Sequence, residues 1–586
     1  MPTPQIPENA PFSPSQRAWL NGFFAGLVST GQVGPAHADA AVNGHASTNG
    51  DATGALNDAS ASEQTDAAEP ASQRATSWRE VQDDDPDQYP WHDPDMSIDD
   101  RMELVKDQPL ELKLMGAMAQ LDCGQCGYLC RTYAKAIETG EETDLKRCVP
   151  GGKQTSKMVK RILSEHESAS DVNGTDNAPP SAAATGSDDV ATAVASGPAS
   201  DGDTSAATGV PAHDRDHPFP APMVTVQRLT TESSNKDTHF VSLSLAGSGI
   251  AYNVGDSLGV YPKNPYERVD ALIKLLQCSG AEPITLNNGA SVTFRQALIE
   301  HCDIKNPSDE LYELLATYAT KSEEAEDLRR CIDEEEVAGL IEDPRVIDVL
   351  ARFPSARPQP QELVSALDAL QPRLYSIASS PQMHPEEVHL VVGAVRYEQQ
   401  GQPRKGVAST YLADRIVDRE PVPVFIQPSH DFNLPEDDST DIIMVGPGTG
   451  IAPFRAFLEH RHITGATGRN WLFFGEQHQA SEFLFEEELA QYQAEGTLTH
   501  LTTAFSRDQA ERVYVQHRML DHAAELWQWL KDGACFYVCG DASRMAGDVD
   551  RALHQITAEH GQMTEESAKD YIARMKKAGR YQRDVY

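Results

Sequence analysis

The stretch DIIMVGPGTGIAPFRAFL, residues Asp441–Leu458, decides the fold class of this chain. An apolar run, IIMV, leads straight into three glycines within five positions, and a helical pattern follows. A strand that ends in a glycine-rich turn before a helix is typical of a nucleotide-binding βα unit. There the glycines let the backbone approach a pyrophosphate, and the helix N-terminus favours its charge. Alone, the turn is weak evidence, because ordinary tight turns share this pattern.

The sequence on either side of this turn predicts a multidomain protein. Downstream, strand-like and helical stretches alternate, which predicts an α/β doubly wound parallel sheet over residues 438–586. Upstream, residues 217–437 open with the strand-like runs TVQRLTT and THFVSLSL. A helical stretch at about 265–370 interrupts these strands, and strands with glycine-rich turns then return.

Two low-complexity segments, 34–80 and 165–216, divide the remainder of the chain. Both are rich in Ala, Ser, Gly, Asp and Thr and contain few large apolar residues. Such segments cannot bury enough surface to offset their ordering entropy, so both are predicted to be disordered linkers. Residues 1–33 include an amphipathic helical pattern at Ser13–Val28, which we expect either to pack on this chain's body or, preferably, to dock on another subunit in a homo-oligomer. The segment 81–164 between the linkers is expected to be a small α-rich domain.

Charge and composition limit the classes of function. The 586 residues carry a formal net charge of −40, which argues against a nucleic-acid partner and fits either solubility or an acidic docking face for a basic redox partner. No apolar run approaches the roughly 20 residues of a membrane span. No signal peptide is visible, so we expect a cytoplasmic protein. In that compartment, nine cysteines do not indicate a disulfide scaffold.

Four of these cysteines are clustered. DCGQCGYLC contains Cys123, Cys126 and Cys130, and Cys148 follows in KRCVPGG. Four thiolates can bind zinc, although typical zinc sites pair two knuckles of closely spaced cysteines. Here three thiols crowd one turn and the fourth stands alone, a pattern that suits a [4Fe–4S] cluster. Zinc remains the alternative on spacing alone.

Several motifs taken in order reveal a family resemblance. They are GDSLGVYP (255–262), RLYSIASS (373–380), VVGAVRY (391–397), GVAST (406–410), SRDQAERVYVQ (506–516), YVCGDASRMAGDV (537–549) and RYQRDVY (580–586). This set resembles the diflavin-reductase branch of the ferredoxin–NADP reductase superfamily, and most closely the flavoprotein subunit of assimilatory NADPH–sulfite reductase. The resemblance implies an antiparallel β-barrel FAD domain with a helical insert, followed by an NADP domain. The segment from Cys123 to Gly152 resembles a small iron–sulfur domain family.

The same resemblance implies residues that bind FAD. Arg373 would bind the pyrophosphate, Tyr375 would stack on the flavin, and Ser376 would bond near flavin N5. The remaining residues of this implied site are Leu374, Val391, Val392, Gly393 and Tyr397, with Gly406, Val407, Ala408 and Ser409 at the pyrophosphate. The terminal Tyr586 would cover the second face of the flavin and move aside for the nicotinamide.

The NADPH site is implied in the same way. Gly446, Gly448, Thr449 and Gly450 would cradle the pyrophosphate. Cys539 would lie by nicotinamide C4 and Asp584 would stabilise the cationic ring, so the implied catalytic set is Ser376, Cys539 and Asp584. A 2′-phosphate needs cations and hydroxyl donors, and the implied ones are Ser506, Arg507, Arg512, Tyr514 and Gln516. Asp548 is expected near the nicotinamide half.

One departure from the family shapes the expected function. Residues 1–216 contain no flavodoxin-like pattern, so we expect no FMN. The cluster held by the four cysteines would then carry single electrons from FAD to a sirohaem-containing sulfite reductase haemoprotein. Two alternatives stay open: an electron donor to nitrate or nitrite reductase or to a ferredoxin, and a reductase whose cysteine domain is a structural zinc or interaction module.

Overall fold

The computed structural model of the chain describes residues 89, 91–92, 96–120, 126, 128–148, 150–172, 213–333, 344–399, 401–416, 420–429, 431–542 and 544–586. The predicted docking helix Ser13–Val28, the linker 34–80 and Cys123 lie outside the described residues. All described residues belong to one compact unit, Asp84–Tyr586. Within this described part, no helix is both long enough and apolar enough to cross a membrane.

The cysteine segment is helical and has its own apolar core, as expected for a small α-rich domain. Its helices α1 to α4 span Ile98–Val105, Leu110–Ala117, Cys130–Thr139 and Gly152–Val172. Ser97 begins α1 by accepting a backbone hydrogen bond, and Gly140 ends α3 in the left-handed conformation (φ 75°). Buried Leu114, Tyr133 and Val159 bring three of the helices onto one core. We call this unit the cluster domain.

The start of the second predicted linker differs from expectation. Helix α4 continues to Val172, so the first eight residues of the segment 165–216 are helical. This helix begins in the apolar pattern of the cluster domain, and a helix once formed extends at little cost. Residues 173–212 of the same segment lie outside the described residues.

The part that follows contains two larger antiparallel sheets and two separate two-stranded pairs. Strands β1 to β11 span Phe219–Ala221, Met223–Arg228, Thr238–Ser244, Ser257–Val260, Pro283–Thr285, Ser291–Thr293, Arg373–Ser376, Glu387–Gly393, Arg396–Gln399, Gln402–Lys405 and Val422–Gln427. The pairs are β5–β6 and β9–β10. The two larger sheets have the orders β1-β11-β4-β7 and β2-β3-β8, and one apolar core serves both. Among the described strands the sheets do not close on each other, so the closed barrel stays a prediction.

A helical insert separates β4 from β7, as the sequence predicted. Helices α5 to α10 span Tyr266–Leu276, Phe294–Glu300, Asp309–Tyr318, Ser322–Asp333, Val346–Arg352 and Pro360–Ala366. They enclose a separate core around Leu298, Leu311 and Phe353. Ser308 begins α7 by accepting a hydrogen bond from a backbone N–H, and two acidic residues, Asp309 and Glu310, follow in the first turn.

The C-terminal part is a parallel α/β sheet, which confirms that prediction. Strands β12 to β16 span Ile442–Val445, Asn470–Glu476, His500–Phe505, Cys535–Gly540 and Tyr581–Val585, in the order β14-β13-β12-β15-β16. Every residue of β12, β13 and β15 is buried, since helices cover both faces. The strand order reverses beside β12, where ligands of such sheets bind.

Helices alternate with these strands. After the four-residue α11, Val407–Thr410, and a π-turn at Tyr411–Arg415, helices α12 to α18 span Ala452–Thr464, Gln479–Glu482, Glu486–Glu495, Val515–Asp521, Ala523–Lys531, Met545–Gly561 and Glu565–Lys577. One face of the parallel sheet shares its core with Val254, Ala378 and Phe432 of the antiparallel part. This shared core fixes the two parts against each other.

Candidate functional site

The glycine-rich turn after β12 packs against the end of β15. A Cβ added at Gly450 would lie 2.1 Å from the carbonyl oxygen of Cys539, and one at Gly446 would lie 2.5 Å from that of Gly450. Gly448 adopts a φ of 61°, which side chains other than glycine rarely take. The turn therefore needs glycine for close backbone approach, and it lies at the carboxyl edge of the sheet.

Three of the expected site residues meet at this edge. The Ser376 hydroxyl, at the end of β7, donates a hydrogen bond of 2.5 Å to Oδ2 of Asp584. The Cys539 thiol donates to the same oxygen over 3.6 Å. Cys539 and Asp584 are partners in the pairing of β15 with β16, whereas Ser376 comes from the antiparallel part. The structure thus brings together the set Ser376, Cys539 and Asp584 from two sheets.

Burial determines the electrostatics of this set. It raises the pKa of the Asp584 carboxyl, and the hydrogen bonds from Ser376 and Cys539 oppose that rise. Burial and the neighbouring carboxylate raise the pKa of the Cys539 thiol well above its ordinary value, so the thiol stays protonated and donates. The arrangement places a hydroxyl, a thiol and a carboxylate within reach of one small region of low dielectric.

Tyr586 ends the chain beside the same turn. Its hydroxyl lies 2.9 Å from Oγ1 of Thr449, and its backbone N–H donates to the carbonyl oxygen of Gly540 over 3.0 Å. The side chain is 56% exposed, although it is large and aromatic. Its backbone is therefore anchored to the end of β15 while its ring lies at the protein surface.

The residues expected around FAD form the rim of this site. Arg373 Nη1 donates to the backbone carbonyls of Gln371 and Pro372 over 3.0 and 3.2 Å. No ion pair is described for this guanidinium in the described part of the chain, so its remaining N–H groups fit phosphate oxygens. Leu374 and Tyr375 continue the same strand and are partly buried.

The second expected FAD segment, residues 391–397, offers a ligand mainly its backbone. Val391 and Val392 are both buried in apolar cores, so only their backbone can face a ligand. A Cβ added at Gly393 would lie 3.5 Å from Cγ2 of Thr449, which places this glycine against the glycine-rich turn. Tyr397 lies on the β9–β10 hairpin and is 42% exposed.

The turn Gly406–Ser409 differs in detail from expectation. The Ser409 hydroxyl accepts a hydrogen bond of 3.1 Å from the Val395 N–H, and the side chain is buried together with Ala408. A Cβ at Gly406 would lie 2.6 Å from that hydroxyl oxygen. Val407 opens a helix of only four residues, and one π-helical turn follows at Tyr411–Arg415.

The expected 2′-phosphate residues lie beyond the ends of β13 and β14. The backbone N–H groups of Ser506 and Arg507 bond to Glu476 and Gln477, which places both residues beside the end of β13. Side chains of Arg507, Arg512 and Tyr514 are exposed, and no ion pair is described for either arginine in the described part. Gln516 Nε2 donates to Oδ2 of Asp548 over 3.1 Å, so the structure joins two more of the expected residues.

Three of the four expected cluster ligands are buried in one apolar core. Cys126, Cys130 and Cys148 all belong to the apolar core of the cluster domain. Backbone N–H groups of Ala119 and Gly151 donate to the Cys148 sulfur. Burial raises the pKa of Cys126 and Cys148, which opposes thiolates unless a metal binds them. Thiols buried in one core, one of them with N–H donors, fit a metal cluster.

Sequence reasoning missed Lys236, which lies in the loop between β2 and β3. Its Nζ is 2.5 Å from Oε2 of the buried Glu476, and a Cβ at Gly448 would lie 4.0 Å from it. Lys236 therefore places a cation from the antiparallel part beside the glycine-rich turn. No local motif marks this lysine, since its partner is 240 residues away.

A second missed group joins the two sheets behind the site. Arg455 Nη1 donates to the carbonyl oxygen of Ala378 over 2.6 Å, and its Nη2 lies 2.8 Å from Glu459. Glu459 also accepts from the Ser380 N–H and from His384. The sequence did contain a signal for this group. The otherwise apolar helix APFRAFLE carries an arginine and a glutamate four residues apart.

This group does not favour a bound cation. His384, His389 and Glu459 offer ligand atoms within 4.8 Å of one another. However, the Arg455 guanidinium lies 3.3 Å from Nδ1 of His389, and its positive charge would repel a metal ion there. The group instead holds the segment after β7 against α12, which positions Ser376.

Comparison with known proteins gives three family matches within the chain. The family described as "FAD binding domain" matches residues 211–411, and "Oxidoreductase NAD-binding domain" matches 444–551. The family described as "Putative Fe-S cluster" matches residues 118–150. These matches cover the rim, the glycine-rich turn and the cysteine segment in turn.

The similar proteins that align over most of this chain share one name. The chain is 42% identical over 461 residues to the sulfite reductase [NADPH] flavoprotein alpha-component of Bacillus subtilis, an alignment that covers 78% of this chain and 74% of that protein. It is 42% and 44% identical over 374 residues to the proteins of the same name from Aliivibrio fischeri and Vibrio cholerae. Those two alignments cover 64% of this chain and 61% and 60% of the relatives.

Proposed function

The chain belongs to the family of sulfite reductase [NADPH] flavoprotein alpha-components, and from that premise we propose that it oxidises NADPH and passes the electrons singly to a haemoprotein that reduces sulfite. The observation that carries the proposal is the meeting of Ser376, Cys539 and Asp584 at the junction of the two sheets. Bound FAD supplies the chemistry of accepting a hydride and releasing single electrons.

In this proposal the three residues prepare the site for hydride transfer. The Ser376 hydroxyl would contact flavin N5, and its hydrogen bond to Asp584 fixes its position. Asp584 supplies negative charge that stabilises the cationic nicotinamide ring in a low dielectric. The buried Cys539 thiol stays protonated, donates to Asp584 and packs against nicotinamide C4. Tyr586 covers the flavin until the nicotinamide replaces it.

The remaining assignments belong to the same proposal. Arg373 binds the FAD pyrophosphate together with the backbone of the Gly406–Ser409 turn, and the Gly446–Gly450 turn binds that of NADPH. The exposed guanidinium groups of Arg507 and Arg512 bind the 2′-phosphate and account for a preference for NADPH. Gln516 and Asp548 complete the NADPH side.

The cluster domain supplies the outgoing path. We propose that Cys123, Cys126, Cys130 and Cys148 hold a [4Fe–4S] cluster and that the protein carries no FMN. The buried thiols and the N–H donors to Cys148 support a metal cluster. A cluster that carries one electron at a time takes the place of FMN between FAD and the haemoprotein.

The proposed partner is a sirohaem-containing sulfite reductase haemoprotein. Domain limits follow the earlier division, with a cluster domain at 81–164, an FAD domain at 217–437 and an NADP domain at 438–586. We further propose that segment 1–33 docks on another subunit. The proposed location of the protein is the cytoplasm.

Anaerobic reduction by NADPH tests the proposed route. We expect FAD bleaching followed by a paramagnetic iron signal in EPR. In the Cys126→Ala protein, FAD should still bleach, while the iron signal and electron delivery to the purified haemoprotein are lost. Cys278→Ala, which changes a partly buried thiol at the helical insert, is the matched control and should behave like the wild type.

The other outcomes select the alternatives. Stoichiometric zinc without an EPR signal would make the cluster domain a structural module and refute the electron route. Faster NADPH oxidation with a nitrite or nitrate reductase or a ferredoxin, and none with sulfite reductase, would change the acceptor while leaving the FAD and NADPH sites in place.

A further inference from the structure

Ion pairs join the cluster domain to the helical insert. Lys146 Nζ lies 2.7 Å from carboxylate oxygens of both Glu310 and Asp368. Lys160 Nζ lies 3.4 Å from the other oxygen of Glu310, and Lys153 Nζ lies 3.8 Å from Asp309. We call Lys146, Lys153 and Lys160 the lysine face, and Asp309, Glu310 and Asp368 the acidic edge.

The sequence concentrates opposite charge on these two surfaces. Residues 145–164 contain six basic and no acidic residues, although the whole chain has a net charge of −40. Residues 300–333 of the insert contain ten acidic and four basic residues. Surfaces of opposite sign attract each other and orient their approach before contact. The charge distribution is therefore complementary beyond the individual pairs.

The contact lacks a shared apolar core. Among the described residues, the core of the cluster domain draws only on residues 89–163, and that of the insert only on residues 269–367. The three lysine side chains in the contact remain 31–52% exposed. Exposed ion pairs are weak and are screened by salt. An interface built from them dissociates readily, unlike one that buries a common core.

The docked position brings Cys126 near the rim of the FAD site. Arg215 lies close enough to Cys126 for its positive charge to act on that thiol. The same guanidinium donates to the Gln371 side chain over 3.2 Å, and Arg373 donates to the Gln371 carbonyl. Arg215 thus lies near Cys126 and also contacts the segment that leads into the strand carrying Arg373 and Ser376.

We propose that the lysine face is a reversible electrostatic docking surface, whose partner is the acidic edge of the same chain. Docking on that edge brings the cluster domain to the FAD site, and undocking frees the domain to reach an acceptor. The inference rests on the proposed function for its purpose, but the docking itself does not require any cofactor. With FAD and the cluster bound, each docking would pass one electron, so two dockings would oxidise the flavin. The acceptor would reoxidise the cluster between them, and the flavin's protons would pass to solvent.

Zero-length cross-linking tests the docking directly. A carbodiimide joins a lysine amine to a carboxylate only where the two are in contact. In the full-length protein at low ionic strength, mass spectrometry should find cross-links from Lys146 to Glu310 and to Asp368. Raising the salt to about 0.5 M, where charges are screened within a few ångströms, should reduce their yield several-fold.

The rate of cluster reduction in the protein with FAD and cluster bound gives a second readout. Reversing the lysine face with Lys146→Glu, Lys153→Glu and Lys160→Glu should slow cluster reduction by about tenfold at low salt, because the tethered domain docks less often. Reduction of FAD by NADPH should not change. Lys135→Glu is the matched control, since Lys135 is exposed on α3 and no ion pair is described for it within the described residues.

The outcomes separate this inference from the proposed function. Cross-links that persist at high salt mean permanent packing and overturn reversible docking, and their absence at low salt overturns docking altogether. A lysine-face variant that matches the Lys135→Glu protein in cluster reduction overturns the kinetic role. If cross-links form and respond to salt while the protein contains zinc, the electron route fails and the docking stands.

Discussion

At the scale of single residues, the site depends on one partly buried carboxylate. Asp584 accepts hydrogen bonds from Ser376 and Cys539, which come from different sheets. Each donor stabilises the ionised carboxylate against the burial that raises its pKa. In the proposed function, this carboxylate is the negative charge that faces the cationic nicotinamide ring.

Replacing this carboxylate should therefore slow hydride transfer. We expect Asp584→Asn to lower the rate of FAD reduction by NADPH by about 100-fold, because a preorganised charge is lost at the reacting centre. Stopped-flow absorbance measures this rate. The exposed Glu436→Gln is the control for removal of one negative charge.

The pH dependence of FAD reduction also tests the role of the Asp584 carboxylate. In the wild type, the rate should fall as the pH drops through the raised pKa of Asp584, because the carboxylate becomes neutral. The Asp584→Asn protein has no such group and should lack this acid limb. An acid limb unchanged in the variant would assign it to another residue.

Tyr586 is the second decisive residue. Deleting it removes the aromatic ring and the contact between its hydroxyl and Thr449. We expect the FAD absorbance spectrum to change and the preference for NADPH over NADH to narrow, measured as the ratio of kcat/KM values. Tyr586→Phe keeps the ring and should retain the wild-type spectrum. An unchanged spectrum and preference after deletion would place the ring elsewhere than over the flavin.

At the scale of elements, a polar layer between β8 and α12 supports the site. His389 on β8 packs against Phe240, bonds Glu387 and faces His384 and Arg455. Burial, then Arg455 and His384, lower its pKa to about 4. The histidine is therefore neutral in the folded protein at pH values where it would be protonated in an unfolded chain.

This layer predicts acid sensitivity. An unfolded histidine binds its proton near pH 6.5, so the free energy of unfolding should fall by about 2 kcal/mol from this residue as the pH drops from 7.5 to 5. The contribution is fully present above pH 6.5 and is lost toward pH 4. His389→Gln should remove that part of the slope, as measured by denaturant unfolding at several pH values.

The variants are compared only by the slope of the free energy of unfolding against pH. His389→Gln also removes a packed ring, so its stability at pH 7.5 is expected to be lower for reasons unrelated to protonation. His560→Gln, a change at an exposed histidine on α17, should keep the wild-type slope. If the His389 and His560 variants lose stability equally between pH 7.5 and 5, the layer is not the source of acid sensitivity.

At the scale of the whole molecule, the cluster domain has its own apolar core and lies beside a larger body. Its core is separate, whereas the parallel sheet shares a core with the antiparallel part. A metal bound by thiolates contributes to folding only in the unit that contains its ligands. Loss of the metal should therefore affect one part of the molecule.

Amide hydrogen exchange can localise that effect. In the Cys126→Ala protein, we expect faster exchange in α3 and α4, where the buried thiols pack, and no change in β12 and β15. Cys278→Ala should leave the cluster domain protected. Faster exchange across both the cluster domain and the parallel sheet would show a single cooperative unit and contradict the separation of cores.

The sequence predicted the elements of this fold well. The helical insert expected at about 265–370 is present as helices between Tyr266 and Ala366, and the parallel sheet follows the strand that ends in Gly446. These predictions succeed because apolar periodicity and glycine turns act over a few residues. The π-turn at Tyr411–Arg415 and the end of α4 at Val172 were missed, since helix ends depend on neighbouring packing.

The sequence by itself determined the residue types at the site, because motif spacing specifies glycines, thiols and carboxylates locally. Tertiary structure alone decided which of them meet. Ser376 and Asp584 are 208 positions apart, Lys236 and Glu476 are 240 apart, and Lys146 and Asp368 are 222 apart. Contacts at such separations arise from the packing of whole sheets and domains, and no local pattern encodes them.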